Sequence, residues 1–158
     1  MAALCIGIGN DYRHDDGVGL YVARLLREQN LPDTVVIEHG GDGISLLELI
    51  AGADADAVIL IDAISSGAAP GTLVQFAAHE HPLPARCFAH SSHAVGVAEA
   101  VELARVLGNL PRCCLVYGIE GACFVAGVGL TPVVEQAARD LAAAIEQKRR
   151  NPQPHAAF

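Results

Sequence analysis

Two adjacent carboxylates, Asp15 and Asp16, carry the first hint of chemistry in this chain. They lie in Gly7-Ile8-Gly9-Asn10-Asp11-Tyr12-Arg13-His14-Asp15-Asp16-Gly17-Val18-Gly19, a polar loop hinged by glycines. Asp62 ends a continuous apolar run, and His93 closes His90-Ser91-Ser92-His93 ahead of an apolar stripe. Two carboxylates and an imidazole can hold a divalent transition ion with coordination positions left open, and the donor set suits nickel, zinc or manganese alike. The same trio could move protons without a metal. Each residue also has a plainer explanation. Asp15 fits an N-cap with Asp16 as a favourable acid in the first turn; Asp62 fits a turn cap and His93 a helix cap. His90 is the substitute imidazole, and His14, His79, His81 and His155 read as solvated loop or tail residues.

Other chemistries lack their residues. There is no Gly-x-Ser-x-Gly elbow, no His-Glu-x-x-His helix and no P-loop. Ser65, Ser66, Ser91 and Ser92 have no base partner in the sequence, and no cysteine adjoins a histidine and an acid. Gly7-Ile8-Gly9 with Glu38 as a ribose acid hints at a dinucleotide site. Tyr12 takes the place of the third glycine, however, and the extra residues before the helix lengthen the turn beyond what a pyrophosphate needs.

The elements that must position these residues follow from periodicity. Ala3 to Ile8 reads as a buried strand, and Val18, Val22, Leu25 and Leu26 recur at helical spacing. Thr34 to Glu38 is a short β-branched strand. His39-Gly40-Gly41-Asp42-Gly43 is a loop, and Ser45 begins a short helix. Ala57 to Ile61 is a continuous apolar strand stopping at Asp62, and Thr72 to Ala77 suits an edge strand. His79 to Phe88 holds two prolines and reads as an exposed loop. His90 to His93 opens the next helix, which Gly108 and Asn109 end. Cys113 to Ile119 is a strand, and Thr131-Pro132 launches the last helix as N-cap and N1 proline, with Lys148-Arg149-Arg150 set favourably against its dipole. Strands alternating with helices specify an α/β fold: a twisted, mostly parallel sheet of about five strands, one of them an antiparallel edge, with helices on both faces. In such a sheet, residues just after parallel strands gather along one rim, so Asp16, Asp62 and His93 can meet there.

Composition agrees. The 158 residues are 52% hydrophobic and 4% aromatic with no tryptophan, the palette of parallel strands covered on both faces. One domain over residues 1–150 with a tail at 151–158 is expected. A formal charge of −8 disfavours nucleic-acid and anionic-membrane partners. No membrane-length apolar run and no basic leader segment occur, so a cytoplasmic protein is expected. The five cysteines show no Cys-x-x-Cys pair and read as buried thiols rather than a disulfide or zinc framework.

Gly7-Ile8-Gly9-Asn10, Asp15-Asp16-Gly17-Val18-Gly19, Asp62-Ala63, Ser92-His93 with Gly96, and Gly129-Leu130-Thr131-Pro132 together resemble the hydrogenase maturation proteases, endopeptidases that trim the C-terminus of a [NiFe]-hydrogenase large subunit. The resemblance runs through nearly the whole chain. It implies that Asp16, Asp62 and His93 are the metal-recognising trio, that the nickel is supplied by the large-subunit precursor, and that no organic cofactor is permanently bound. It also implies a checkpoint: cleavage only after nickel insertion, by a monomer. The loop His39-Gly40-Gly41 falls where the family sets client specificity. Many relatives have an aspartate at the first of these positions; His39 looks more like the proteases serving soluble, NAD-linked hydrogenases. A nickel-binding or delivery module using the same trio is the alternative reading.

Overall fold

The computed structural model describes residues 1–89 and 92–152. Among the described residues, nine strands and helices follow one another along the chain. They are β1 (Ala3–Ile8), α1 (Val18–Glu28), β2 (Thr34–His39), α2 (Gly43–Ala51), β3 (Ala57–Ile64), β4 (Leu73–Ala77), α3 (Val97–Val106), β5 (Cys113–Glu120) and α4 (Pro132–Arg150). The five strands form one sheet in the order β2-β1-β3-β5-β4. All neighbours are parallel except β4, which runs antiparallel to β5 at the edge. The α/β expectation, including the single antiparallel edge strand, is met.

Side-chain alternation along the strands divides the interior in two. Leu4, Ile6, Val58, Leu60, Cys114 and Val116 face α2 and α3. Cys5, Ile59, Ile61, Leu115, Tyr117 and Ile119 face α1 and α4. β1 and β3 are buried along their whole length, which is why they read as unbroken apolar runs rather than alternating ones. Cys5 and Cys114 lie inside these layers as free thiols, and burial pushes them up to about 11 and about 12 respectively.

Several boundaries differ from the expectation. β3 continues past Ile61 to Ile64 because β5 pairs with it through Ile64↔Glu120, so Asp62 is a strand residue. α2 starts at Gly43, with the Asp42 side chain accepting from the Ile44 N–H. α3 starts only at Val97, with Gly96 at its N-cap; His93 precedes the helix by a short irregular segment, and His90 and Ser91 lie outside the described residues. The stretch from His79 to Phe88 is not an exposed loop. It contains a 3-10 turn, Ala85–Phe88, and Leu83, Cys87 and Phe88 are buried in the α2/α3 layer. Alternation is invisible in a segment that packs by single residues, so periodicity had nothing to report there. Arg149 does more than offset a dipole: it is buried, and its guanidinium donates to the Met1 carbonyl at 2.6 Å and to Thr34 Oγ1 at 3.0 Å.

Helix α1 lies on the sheet at backbone contact. A Cβ on Gly19 would stand 2.2 Å from the Ile8 carbonyl oxygen and 2.3 Å from that of Ile61, and one on Gly7 would stand 2.1 Å from the Gly19 oxygen. No side chain fits between these main chains. Gly19→Ala is therefore expected to lower unfolding free energy by about 3 kcal/mol; denaturant titration checks this, and wild-type stability would show that the helix can lift off at no cost.

Candidate active site

Asp16 reaches the rim through a 3-10 turn, His14–Gly17, inserted between β1 and α1. The loop closes on itself through Asn10 N–H to the Asp16 carbonyl at 3.3 Å and Asp16 N–H to the Arg13 carbonyl at 3.1 Å. Gly9 permits the closure, since a Cβ there would stand 2.0 Å from the Asp16 oxygen. Asp15, one residue earlier, has no solvent exposure. It is not the N-cap of α1, a place held by Gly17. Its carboxylate instead accepts from Ala122 N–H (2.8 Å), Cys123 N–H (3.0 Å), Thr131 N–H (2.8 Å) and the Thr131 hydroxyl (2.9 Å). Thr131 thus spends its side chain on Asp15 and makes no capping bond of its own to α4.

The turn and the loop between β5 and α4 are further stitched by His14 N–H to the Gly127 carbonyl, Asp15 N–H to the Cys123 carbonyl and Gly127 N–H to the Tyr12 carbonyl. His14 is no free surface histidine: at φ 46° its Nδ1 lies 3.0 Å from the Gly129 carbonyl oxygen. His79 is half-buried, with its Nδ1 3.2 Å from the Cys114 N–H. His81 is exposed, as expected, and His155 lies outside the described residues.

Asp62 extends the face of β3 that carries Val58 and Leu60, because strand side chains repeat with period two. That face looks toward α2 and α3, and so toward the segment bearing His93. The Asp62 carboxylate is 4% exposed and accepts from the Ala63 N–H at 2.8 Å. Burial pushes its pKa well above the usual carboxylate range, the Asp16 charge adds to the rise, and the Ala63 bond only partly opposes it. His93 is exposed. Its Nε2 lies 3.0 Å from the Gly40 carbonyl oxygen, and a carbonyl can only accept, so Nε2 carries the proton. A Cβ on Gly41, at φ +91°, would touch both Ile8 and the His93 ring.

Asp16, Asp62 and His93 line one narrow cleft with Gly9, Arg13 and Gly41, where about 30 Å³ is open to the centre of a water or an ion. The cleft lies where β1 leads outward to β2 on one side and β3 to β5 on the other. Open α/β sheets take their ligands at such a switch point. The three residues singled out by position therefore share one cleft, although among the described residues no three His, Cys, Asp or Glu side chains stand ready as a metal-binding cluster. Gly40 and Gly41 line the cleft as well, whereas the His39 ring turns away toward Ser45. Sequence reasoning missed Arg13, which enters the cleft while its Nε donates to the Phe124 carbonyl at 3.2 Å. It also missed what Asp15 does. A second adjacent acid was the available signal, but its partners lie more than a hundred residues away. Glu38 is no ribose acid: Arg24 and Arg27 hold its carboxylate at 2.7 and 2.9 Å.

The chain is thus a small α/β protein whose helix-covered, mostly parallel sheet gathers two acids and an imidazole in its switch-point crevice. Residues 20–148 match the sequence profile of hydrogenase maturation proteases, and the chain belongs to that family. The matched span contains Asp62 and His93 and begins just after Asp16. Over 140 residues the chain is 33% identical to the hydrogenase 2 maturation protease of Escherichia coli K12, spanning 85% of this chain and 82% of that one. It is 36% identical over 121 residues to the hydrogenase expression/formation protein HupM of Azotobacter chroococcum, where the match spans 75% of this chain and 57% of the relative; the chain spans little more than half of that protein. The fold superposes on the [NiFe] hydrogenase maturation protease HycI from Thermococcus kodakarensis with a TM-score of 0.76, over 95% of this chain and 93% of that one, at 24% identity.

The buried Asp62 carboxyl costs stability wherever it must ionise. With its folded pKa raised, the penalty is absent below the unfolded value of about 4 and grows as pH rises above it. Asp62→Asn is expected to stabilise the protein at pH 7, on the order of 1 kcal/mol, with the gain vanishing near pH 4. Melting curves across that range check this, and a gain that persists at low pH would contradict it.

Proposed function

We propose that this chain is an endopeptidase that removes the C-terminal extension of a [NiFe]-hydrogenase large-subunit precursor after nickel has been inserted. The observation that carries the reading is the meeting of Asp16, Asp62 and His93 in one cleft reachable from solvent. Family membership supports the reaction class. The donor set is compatible with nickel as the feature read, since carboxylate oxygens and an imidazole are suitable ligands for it. The ion belongs to the substrate: the precursor brings it, and the three side chains bind it there.

Peptide hydrolysis needs a proton taken from water and another given to the departing amine. The carboxyl groups of Asp16 and Asp62 are the cleft's candidates for those transfers. Nickel bound by the trio would hold the scissile peptide in register and supply Lewis-acid polarisation of its carbonyl. The small volume of the cleft suits an ion and a water better than a side chain, so the extension is read as lying across the mouth, against the Gly40–Gly41 turn. No helix among the described residues is long and apolar enough to cross a membrane; the chain is read as acting in the cytoplasm, where the precursor is made.

Alanine at any one of the three positions is expected to slow cleavage of nickel-loaded precursor at least tenfold, in line with the loss of a metal-binding group. Mass measurement of the large subunit before and after incubation reads the outcome. A precursor left at full length by the wild-type protein would overturn the proteolytic reading, and undiminished cleavage by all three variants would overturn the assignment of the trio.

A further inference from the structure

The Gly40–Gly41 turn is bonded by a side chain that does not line the cleft. His39, the last residue of β2, directs its ring away from the rim. Its Nδ1 lies 2.9 Å from the Gly41 N–H, and its Nε2 lies 2.8 Å from Ser45 Oγ. A backbone N–H can only donate, so Nδ1 is the unprotonated nitrogen and Nε2–H donates to the Ser45 hydroxyl. The Ser45 hydroxyl in turn donates a hydrogen bond to the Asp42 carbonyl at 3.2 Å. This direction of bonding also means that His39 does not activate Ser45 as a nucleophile, because the base it would need is already protonated on the facing side.

We propose that His39 is a positioning residue: its neutral ring, clamped between the Gly41 N–H and Ser45, sets the Gly40–Gly41 turn so that the Gly40 carbonyl holds His93 by its Nε2–H. The inference rests on reading His93 as a site residue and deepens that reading. An acceptor on residue i bonded to the N–H of residue i+2 is the geometry of an Asx turn, here made by an imidazole nitrogen. The turn needs such support. Gly41 sits at φ +91°, where a Cβ would be strained and would touch both Ile8 and the His93 ring, and Gly40 is exposed with no close neighbour where its Cβ would be. Burial holds His39 below the ordinary imidazole range; Asp42 opposes that shift and His93 adds to it. The ring is accordingly neutral at pH 7, as the bond from Gly41 requires. The chain of contacts then runs Ser45, His39, Gly41, Gly40, His93. Its end result is a chosen tautomer: with Nε2–H given to Gly40, Nδ1 is the nitrogen of His93 that carries the lone pair, and an orienting carbonyl behind a ligating imidazole is what a metal-binding histidine ordinarily requires.

The physics of the turn selects the test. Asn can accept the same i+2 bond through its amide oxygen, whereas Leu fills the space and accepts nothing. His39→Asn and His39→Leu are compared with wild type in two readouts. In ring-nitrogen NMR at pH 7, wild-type His39 is expected to show protonated Nε2 and bare Nδ1. His93 is expected to show the same tautomer in wild type and in His39→Asn, but a mixture in His39→Leu. In the cleavage assay on nickel-loaded precursor, His39→Leu is expected to lose about tenfold or more while His39→Asn stays within about threefold of wild type. A His39→Leu variant with an unchanged His93 tautomer, or an Asn variant as impaired as the Leu one, would overturn the proposal. The NMR readout needs no substrate, so a wild-type protein that fails to shorten the precursor would sink the proteolytic reading and leave this inference to be decided by the tautomers alone.

Discussion

Asp15 takes a carboxylate to a place without water, and the site depends on how that cost is met. Desolvating an acid is expensive unless donors replace the lost hydration. Here two consecutive amides at 122 and 123, together with the amide and hydroxyl of Thr131, converge on it. Bonds of this kind to a charged acceptor are stronger than neutral ones. They join the turn before α1 to the loop before α4, and so brace both banks of the rim. With Asp15 anchored inward, its neighbour Asp16 is left at the cleft.

Asp62 meets burial in a different way from Asp15. Both acids are buried. Asp15 is surrounded by donors, whereas among the described residues the Asp62 carboxylate accepts from one neighbouring amide, with the charge of Asp16 close by. A group kept in so unfavourable a setting is a mark of sites whose function needs a ligand the fold itself does not supply. In the proposed reaction, the ion brought by the precursor would favour the ionised form of both cleft carboxyls.

The glycines translate the same logic into distances. Gly7 and Gly19 let α1 rest on the main chains of β1 and β3, and the turn that bears Asp16 is thereby held against the strand that bears Asp62. On the other bank, the Gly40–Gly41 turn comes up to the His93 ring. A Cβ at Gly19 would clash with both strands, whereas at Gly41 the contacts are ordinary and the cost is the positive φ.

The sequence by itself determined the layers and the rim. Apolar runs at β1 and β3, helical spacing in α1 and α4, and the strand–helix alternation were enough to place Asp16 and Asp62 at the carboxyl ends of adjoining strands, since these depend on contacts between near neighbours and on a two- or 3.6-residue repeat. The same information left Asp15 as a cap, ended β3 three residues early, put His93 on a helix and made the segment from His79 to Phe88 a solvated loop. The start of α3 goes with a local cap, Gly96 N–H donating to Glu99. Tertiary structure alone decided the other three, through partners distant in the chain: Thr131 for Asp15, Glu120 for Ile64, and the α2/α3 layer for Phe88. No local pattern of side chains records which remote donor, strand or surface will arrive to satisfy a residue.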